Sequence, residues 1–504
     1  MRKFIASILL LASVLPLASC GEEKKEVFND KDFDGLYDDV DPNSNSNVYK
    51  FNYVDDKLPI FKSIDDQVRV DFRNFIFDDK PSYQPDIAKM ASLIISTTYS
   101  YAEENVKILT NKYSNVESTN SAIFVQFGFQ NVEHLHMPTY TVDKEDLAGV
   151  FAGNHLMTYN DKNYQVFAFA IEGYPTPSVW FSNFDIGSKT QAYSDLYGTE
   201  HPDWKNKNHH KGFDVTANRA YALMRDYISR HTHKNCEQFV FLTGQSRGAA
   251  ISNLIGKRFF DDGFKSQIYC FNNPSPVFMD GYENANLEKY TNIFNFNCDQ
   301  DLLASYPFKM WNVGRYGRNY TYDLAAHADE YKKYFKQDFQ YISPTNFQDI
   351  LDTVRKMMPT RNSLYEFRPV GDDVDEFELF KTEEDARNRV SELNSKVTDP
   401  RLSGLFKAEL LESGDVDKPF KAQFYTKPIV FFFFIADIVE SMNFTTNIIT
   451  EIYTKFEEFS PLMKRYKYDM GELFNKWTPN PLQVILPHIQ KSCILGINYL
   501  KEAA

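Results

Sequence analysis

Cysteine is scarce, with five in 504 residues, and it forms neither a Cys-x-x-Cys pair nor a His/Cys spacing that suits zinc. One of the five, Cys20, sits in an N-terminal leader-like stretch; the others, Cys236, Cys270, Cys298 and Cys493, allow three pairings outside the cytoplasm. Cys270 and Cys298 fall in apolar strand candidates, which suits buried free thiols better than disulfides. Positive charge is also short. With 55 Lys and Arg against 69 Asp and Glu, the net charge is −14, which argues against nucleic acid as a partner and against charge-driven docking on an anionic bilayer. No apolar run is long enough to span a membrane, and no repeat period is evident. Aromatics are plentiful, with 44 Phe and 31 Tyr among 43% hydrophobic residues. A chain of this length and composition has room for two or three domains and a large core.

The N-terminus reads as a secretory leader. Met1-Arg2-Lys3 is basic, Phe4 to Pro16 is apolar but too short for a membrane span, and Leu17-Ala18-Ser19-Cys20 closes it. That ending resembles the lipobox of bacterial lipoproteins. The resemblance implies that Cys20 is the mature N-terminus and carries the lipid, which tethers the protein to a membrane of the bacterial cell envelope, at the outer membrane or cell surface. Ordinary cleavage at a small residue is the other reading.

Residues 21–60 are polar, rich in Asp and Asn, and without apolar periodicity. Within them Asp30 to Asp41 matches a calcium loop: Asp30, Asp32, Asp34, Asp38 and Asp41 supply side-chain oxygens, Leu36 a backbone carbonyl, and Gly35 the sharp turn. No helices flank it, so it resembles a thrombospondin type 3 calcium repeat more than an EF-hand. An acidic linker without metal is the alternative. Any calcium is expected to be structural, and the chemistry below needs no cofactor.

From about 120 onward, strand and helix patterns alternate. Ala122–Phe127, Val166–Ile171, Phe239–Leu242, Ile268–Phe271 and Asn292–Cys298 read as strands. Helical periodicity marks Ile87–Tyr113, Phe213–Arg230 and Ala249–Phe260. This order predicts an α/β fold with a mostly parallel central sheet. Residues 328–480 are charged and read as helix-rich without clear strands, with Pro428–Met442 as a buried helix. Ile489–Leu500 reads as a terminal helix.

The strand at Phe239–Leu242 runs into Gly244-Gln245-Ser246-Arg247-Gly248 and then a helix. This is the Gly-x-Ser-x-Gly pattern of a nucleophile elbow, in which a tight turn projects the serine and places the next N–H groups at a helix N-terminus. Ser246 is therefore the candidate nucleophile. It needs a base and an acid, in the order Ser, Asp, His. Asp299 and Asp301 both follow a strand candidate, and only His327 and His488 lie beyond them. His488, just before the terminal helix, is the preferred base, and His327 the alternative. His134, His136, His209, His231 and His233 read as ordinary surface residues.

Four groups of motifs resemble the class 3 lipase family: the elbow with its helix (Thr243–Leu254), the following strand and loop (Tyr269–Pro276), Asp301-Leu302-Leu303-Ala304-Ser305-Tyr306-Pro307 with Trp311–Gly317, and upstream Ile171–Tyr174, Trp180–Phe184 and His210–Phe213. The resemblance covers about residues 120–323. It implies an α/β-hydrolase fold, Asp301 as the triad acid, and an oxyanion hole from the backbone N–H groups of Arg247 and Tyr174. Glu172 and Gln245 depart from the family pattern, which has Arg and His there.

The expected organisation is a signal peptide at 1–19, an acidic linker with the calcium loop at 20–60, a hydrolase core at 61–327, a helical insertion at 328–480, and a C-terminal helix at 481–504 that completes the core. The expected function is that of a membrane-anchored serine hydrolase of carboxylic esters, with lipid or another ester as substrate. The alternative from a different class is a surface binding lipoprotein that keeps the fold without turnover.

Overall fold

A computed structural model describes residues 27–39, 46–55, 64–76, 81–98, 106–110, 123–125, 127–135, 149–171, 183, 203–206, 208–279, 287–307, 312–357, 377–396, 406–426 and 480–502. The first strands are Val48–Asp55 (β1) and Ile64–Arg69 (β2). A 3-10 turn at Phe72–Phe75 follows, capped by the Asp71 carboxylate, which accepts from the N–H of Arg73. Pro85–Thr98 (α1) opens on a proline, whose missing N–H costs nothing at the first helical position. Val106–Thr110 (β3) then pairs antiparallel with β1, giving a small sheet in the order β2-β1-β3. The single helix expected over Ile87–Tyr113 therefore ends at Thr98. The threonine pair at 97–98 is a poor place to extend a helix, and Val106–Thr110 finds a ladder in β1 instead.

The central sheet begins with Gln130–Leu135 (β4), Val150–Tyr159 (β5) and Lys162–Ile171 (β6). β5 and β6 form a hairpin across Asn160 and Asp161, both at positive φ (47° and 59°), as a two-residue primed turn demands. Lys211–His231 (α2), Glu237–Gln245 (β7), Arg247–Asp261 (α3) and Lys265–Phe271 (β8) continue the alternation. Val277–Phe278 (β9), Ile293–Cys298 (β10), Val313–Gly314 (β11) and Arg318–Tyr322 (β12) follow, with β9 and β11 paired as a short ribbon. The expected strand at Ala122–Phe127 is a helical turn over its described part, and pairing begins only at β4.

Beyond β12 lie Ala328–Phe335 (α4), Pro344–Met357 (α5), Phe377–Phe380 (β13), Glu383–Lys396 (α6), Phe406–Glu412 (β14) and Phe420–Thr426 (β15). Pro481–His488 (α7), Gln490–Gly496 (α8) and Lys501–Glu502 (β16) close the chain. The main sheet is eight-stranded in the order β16-β12-β10-β8-β7-β6-β5-β4. β6, β7, β8, β10 and β12 run parallel, and the strands at both edges are antiparallel.

Its central strands are apolar on both faces, because helices cover both. Successive residues of β6 and β7 alternate between two clusters. Ala168, Ala170, Phe239 and Phe241 pack with α1 and with Leu486, Ile494 and Leu495 of the C-terminal helices. Phe167, Phe169, Val240 and Leu242 pack with Ala217 and Met224 of α2 and Ile251 and Leu254 of α3. The result is the three-layered α/β architecture of an α/β-hydrolase.

Two expected boundaries and the content of the insertion change. The segment expected as a 20–60 linker supplies β1 and hydrogen-bonds to the main sheet at Thr158 and Leu156. Tyr331 and Phe335 of α4 belong to the core rather than to an insertion. The insertion itself is not all helical: β13, β15 and β14 form an antiparallel sheet against α6. Those strands bury few residues, Ala408, Ala422 and Phe424 among them, so their apolar signal is faint. Pro428–Met442 lies outside the described residues. Cys270, Cys298 and Cys493 are buried free thiols, and Cys236 is a half-buried thiol 3.5 Å from His233 Nδ1. Among the described residues no helix is long and apolar enough to cross a membrane.

Candidate active site

One residue separates β7 from α3. That residue, Ser246, takes φ 55° and ψ −127°, a conformation that L-residues avoid and that turns the side chain outward at the end of the strand. The turn closes because position 244 is glycine: a Cβ there would lie 2.3 Å from the Gly248 carbonyl oxygen and 2.6 Å from Ser252 Oγ. The Ser246 N–H donates to the Phe271 carbonyl at 2.9 Å, which ties the elbow to the end of β8. Arg247, the first residue of α3, sends its guanidinium to Asn183 Oδ1 (2.7 Å) and Thr216 Oγ1 (2.8 Å), above the Phe213 ring.

Asp301 arrives three residues after the end of β10 and is buried. Its Oδ1 accepts from the N–H groups of Leu303 (2.9 Å) and Ala304 (3.1 Å), which fixes the carboxylate and turns Oδ2 toward His488. His488 Nδ1 lies 2.7 Å from Asp301 Oδ2, and His488 Nε2 lies 2.8 Å from Ser246 Oγ. The hydrogen-bonded chain from carboxylate through imidazole to hydroxyl is continuous. Asp299 is exposed and its N–H is spent on the Tyr322 carbonyl.

His488 is the last residue of α7, a helix started by Pro481 and an Asn480–Gln483 capping box. Its carbonyl, one of those left over at a helix C-terminus, accepts from Gln245 Nε2 at 2.5 Å and Asn272 Nδ2 at 2.9 Å. Asn272 is itself held by Cys298 N–H and Tyr322 O–H, both donating to its Oδ1. The elbow and the end of β8 thus grip the backbone of His488. In the sequence Gln245 stands out only as a departure from the family pattern; its contact with the His488 carbonyl exists only in the fold. Arg315 was also missed. It donates to the carbonyls of Asn273 (2.6 Å) and Ala304 (3.1 Å), and burial brings its guanidinium down to about 10, with the Asp301 charge opposing.

The structure does not bring His327 to Ser246. Its ring stacks on Tyr499 at 3.7 Å, and Nδ1 stands 4.0 Å from Glu330 Oε2. His209 is no surface residue: it is buried between Asp214 Oδ1 and the Tyr316 hydroxyl, each 2.8 Å away. Tyr174, Glu172 and Cys20 lie outside the described residues.

The calcium-loop candidates are brought together in part. Asp30, Asp32 and Asp34 place carboxylate oxygens within 4.8 Å of one another. Burial, assisted by the Asp32 charge, pushes the Asp30 carboxyl up to about 7 even though the Gly35 N–H donates to it. Asp38 instead pairs with Lys31, Leu36 donates its N–H to Asp34 Oδ1, and Asp41 lies outside the described residues.

Fold and site together define an α/β-hydrolase with a nucleophile elbow. The sequence model of the family described as Lipase (class 3) matches residues 168–311, from within β6 through the elbow and Asp301, and stops short of His488. Among curated proteins none matches this chain. Among solved structures the chain is similar to the mono- and diacylglycerol lipase from Aspergillus oryzae, with 14% identity over 48% of this chain and 80% of that one and a TM-score of 0.31. It is also similar to the Lip2 lipase from Yarrowia lipolytica, with 15% identity, coverage of 47% and 78%, and a TM-score of 0.30. For the Rhizomucor miehei triacylglyceride lipase the values are 13%, 49% and 83%, and 0.30.

Proposed function

We propose that this protein is a serine hydrolase of carboxylic esters, lipid esters in the first place, held to a membrane through Cys20. The unbroken hydrogen-bonded chain from Asp301 through His488 to Ser246 carries the reading. The class 3 lipase match over 168–311 supports an ester as substrate.

The chemistry follows from the atoms. His488 Nδ1–H donates to Asp301 Oδ2, which leaves the Nε2 lone pair facing Ser246 Oγ–H. As Oγ attacks the ester carbonyl carbon, Nε2 takes its proton, and Asp301 stabilises the imidazolium. Negative charge gathers on the carbonyl oxygen, which lies within the field of the α3 N-terminus and accepts from the Arg247 N–H; the resemblance to class 3 lipases implies a second donor at Tyr174. The imidazolium then protonates the leaving alkoxide, the C–O bond breaks, and an acyl-Ser246 ester remains. Water repeats the sequence with His488 as base, releasing the carboxylic acid and regenerating the hydroxyl.

The leader Met1–Ser19 and the lipobox-like ending before Cys20 support lipid anchoring. Cys20→Ser is expected to move the protein from the membrane fraction to the soluble one. The non-catalytic binding reading rests on the Glu172 departure, the choice between two histidines and the calcium-loop segment; a histidine 2.8 Å from Ser246 Oγ favours turnover over it.

The test is hydrolysis of p-nitrophenyl esters from acetate to palmitate by wild type, Ser246→Ala, His488→Ala and His327→Ala. Activity should vanish with Ser246→Ala and His488→Ala and persist with His327→Ala. Wild-type rates no higher than those of Ser246→Ala on every ester would refute the proposal.

A further inference from the structure

We propose that Asp30, Asp32 and Asp34 hold one calcium ion, and that the ion fastens the segment around them to the antiparallel edge of the catalytic sheet. Three carboxylates within 4.8 Å of one another repel unless a cation or protons lie between them. Their hydrogen bonding is incomplete in a way that points to a cation. Asp30 Oδ1 and both carboxylate oxygens of Asp32 are buried without a hydrogen-bond partner.

A fourth atom, from outside the loop, adds to this. The His155 side chain is fully buried, and its Nδ1 lies 3.0 Å from the Gly128 carbonyl, which can only accept, so Nδ1 carries the proton. His155 Nε2 is then a bare lone pair without a partner, 3.8 Å from Asp30 Oδ2. Acceptors thus converge on the loop from both sides, and no donor of the described residues meets the unpartnered ones.

The loop itself offers only hard oxygen donors, from the three carboxylates. Gly35 has φ 96°, at the place where a calcium loop needs its sharp turn. Oxygen ligands on such a loop suit calcium better than magnesium, which demands tighter octahedral geometry and keeps more of its water.

The loop is also built into the domain rather than hung from it. A Cβ on Gly128 would fall 2.2 Å from the Gly35 carbonyl oxygen, so the two backbones touch. The Phe72 N–H donates to the Phe33 carbonyl at 2.7 Å, and the Tyr49 hydroxyl donates to Asp34 Oδ2 at 2.9 Å. On the other flank the Tyr37 hydroxyl donates to the Leu156 carbonyl, and the Phe28 N–H to Thr158 Oγ1, both on β5. An ion that orders this loop therefore stabilises the sheet edge beneath it.

The test is calcium titration of the purified protein by calorimetry, together with its thermal unfolding in EDTA, in about 1 mM Ca²⁺ and in about 1 mM Mg²⁺, a concentration that suits extracellular calcium modules. One calcium should bind per chain and raise the unfolding midpoint by about 2–5 °C, with a smaller response to magnesium. The Asp30→Asn/Asp32→Asn variant should lose the calcium response yet unfold in EDTA no lower than wild type, because neutral side chains relieve the repulsion. No calcium binding to wild type, an equal response to magnesium, or an unchanged calcium response in the variant would overturn the proposal. The wild-type titration decides the matter even if the variant does not fold.

Discussion

Gln245→Met tests how the base is held. Methionine keeps the length and bulk of the buried glutamine and removes its amide donor, so the His488 carbonyl loses one of its two partners and keeps Asn272 Nδ2. The net loss of one such bond is about 0.5–1.5 kcal/mol. If that restraint acts wholly on the placement of the imidazole in the transition state, a loss of about 1 kcal/mol lowers kcat by about fivefold. A ring displaced by about 1 Å would cost nearer to 100-fold. KM should stay close to wild type, since the lost bond is made to the base and not to the ester. Asn272→Ala should cost more, because Tyr322 and Cys298 also bond to that side chain. The double variant should fall short of the sum, since both donors serve one carbonyl. Steady-state kinetics on a p-nitrophenyl ester, beside thermal unfolding, read out both effects. A Gln245→Met enzyme whose stability drops while kcat stays within about twofold of wild type would refute the positioning argument.

Two further outcomes follow from the same geometry. Gly244→Ala puts a methyl 2.3 Å from the Gly248 carbonyl oxygen, so strand and helix must part by about 1 Å; kcat/KM should fall by about 100-fold or more, and an alanine variant of wild-type activity would contradict the elbow geometry. Burial holds His209 below the ordinary histidine value of 6.5, with the Asp214 hydrogen bond opposing, so the unfolded chain takes up this proton first as pH falls. Stability should therefore decline as pH drops below about 6.5, and between about pH 7.5 and 5.5 the urea midpoint of His209→Gln should fall less than that of wild type. An equal decline in both would remove His209 from the acid limb.

Where side chains alternate between two apolar layers, the fold was legible in the chain. Val166–Ile171 and Phe239–Leu242 are apolar at every position because helices cover both faces, and the glycines around Ser246 mark the turn between strand and helix. The two antiparallel strands at one edge were harder to see. β5 carries Asn154 and His155 inside, and its pairing is announced mainly by the Asn160–Asp161 turn. The sheet of β13, β14 and β15 went unread because its strands mix polar and apolar residues without a sustained period-2 pattern and bury little. At the site, Ser246 and Asp301 stand in recognisable local patterns, whereas a histidine 187 residues from its acid has none. Only the packing of α7 and α8 under the sheet separates His488 from His327. The clamp from Gln245 and Asn272 is a contact between distant backbones and side chains, and no local pattern encodes it.

The central claim is that His488 activates Ser246 as a nucleophile. Its most direct measurement is labelling with a fluorophosphonate probe, followed by mass spectrometry of the peptides. The Ser246 hydroxyl should displace fluoride and carry the phosphonyl group in wild type and in His327→Ala, and labelling should fall to background in His488→Ala and Ser246→Ala. An unlabelled Ser246 in folded wild type, or labelling of His488→Ala at the wild-type rate, would contradict it.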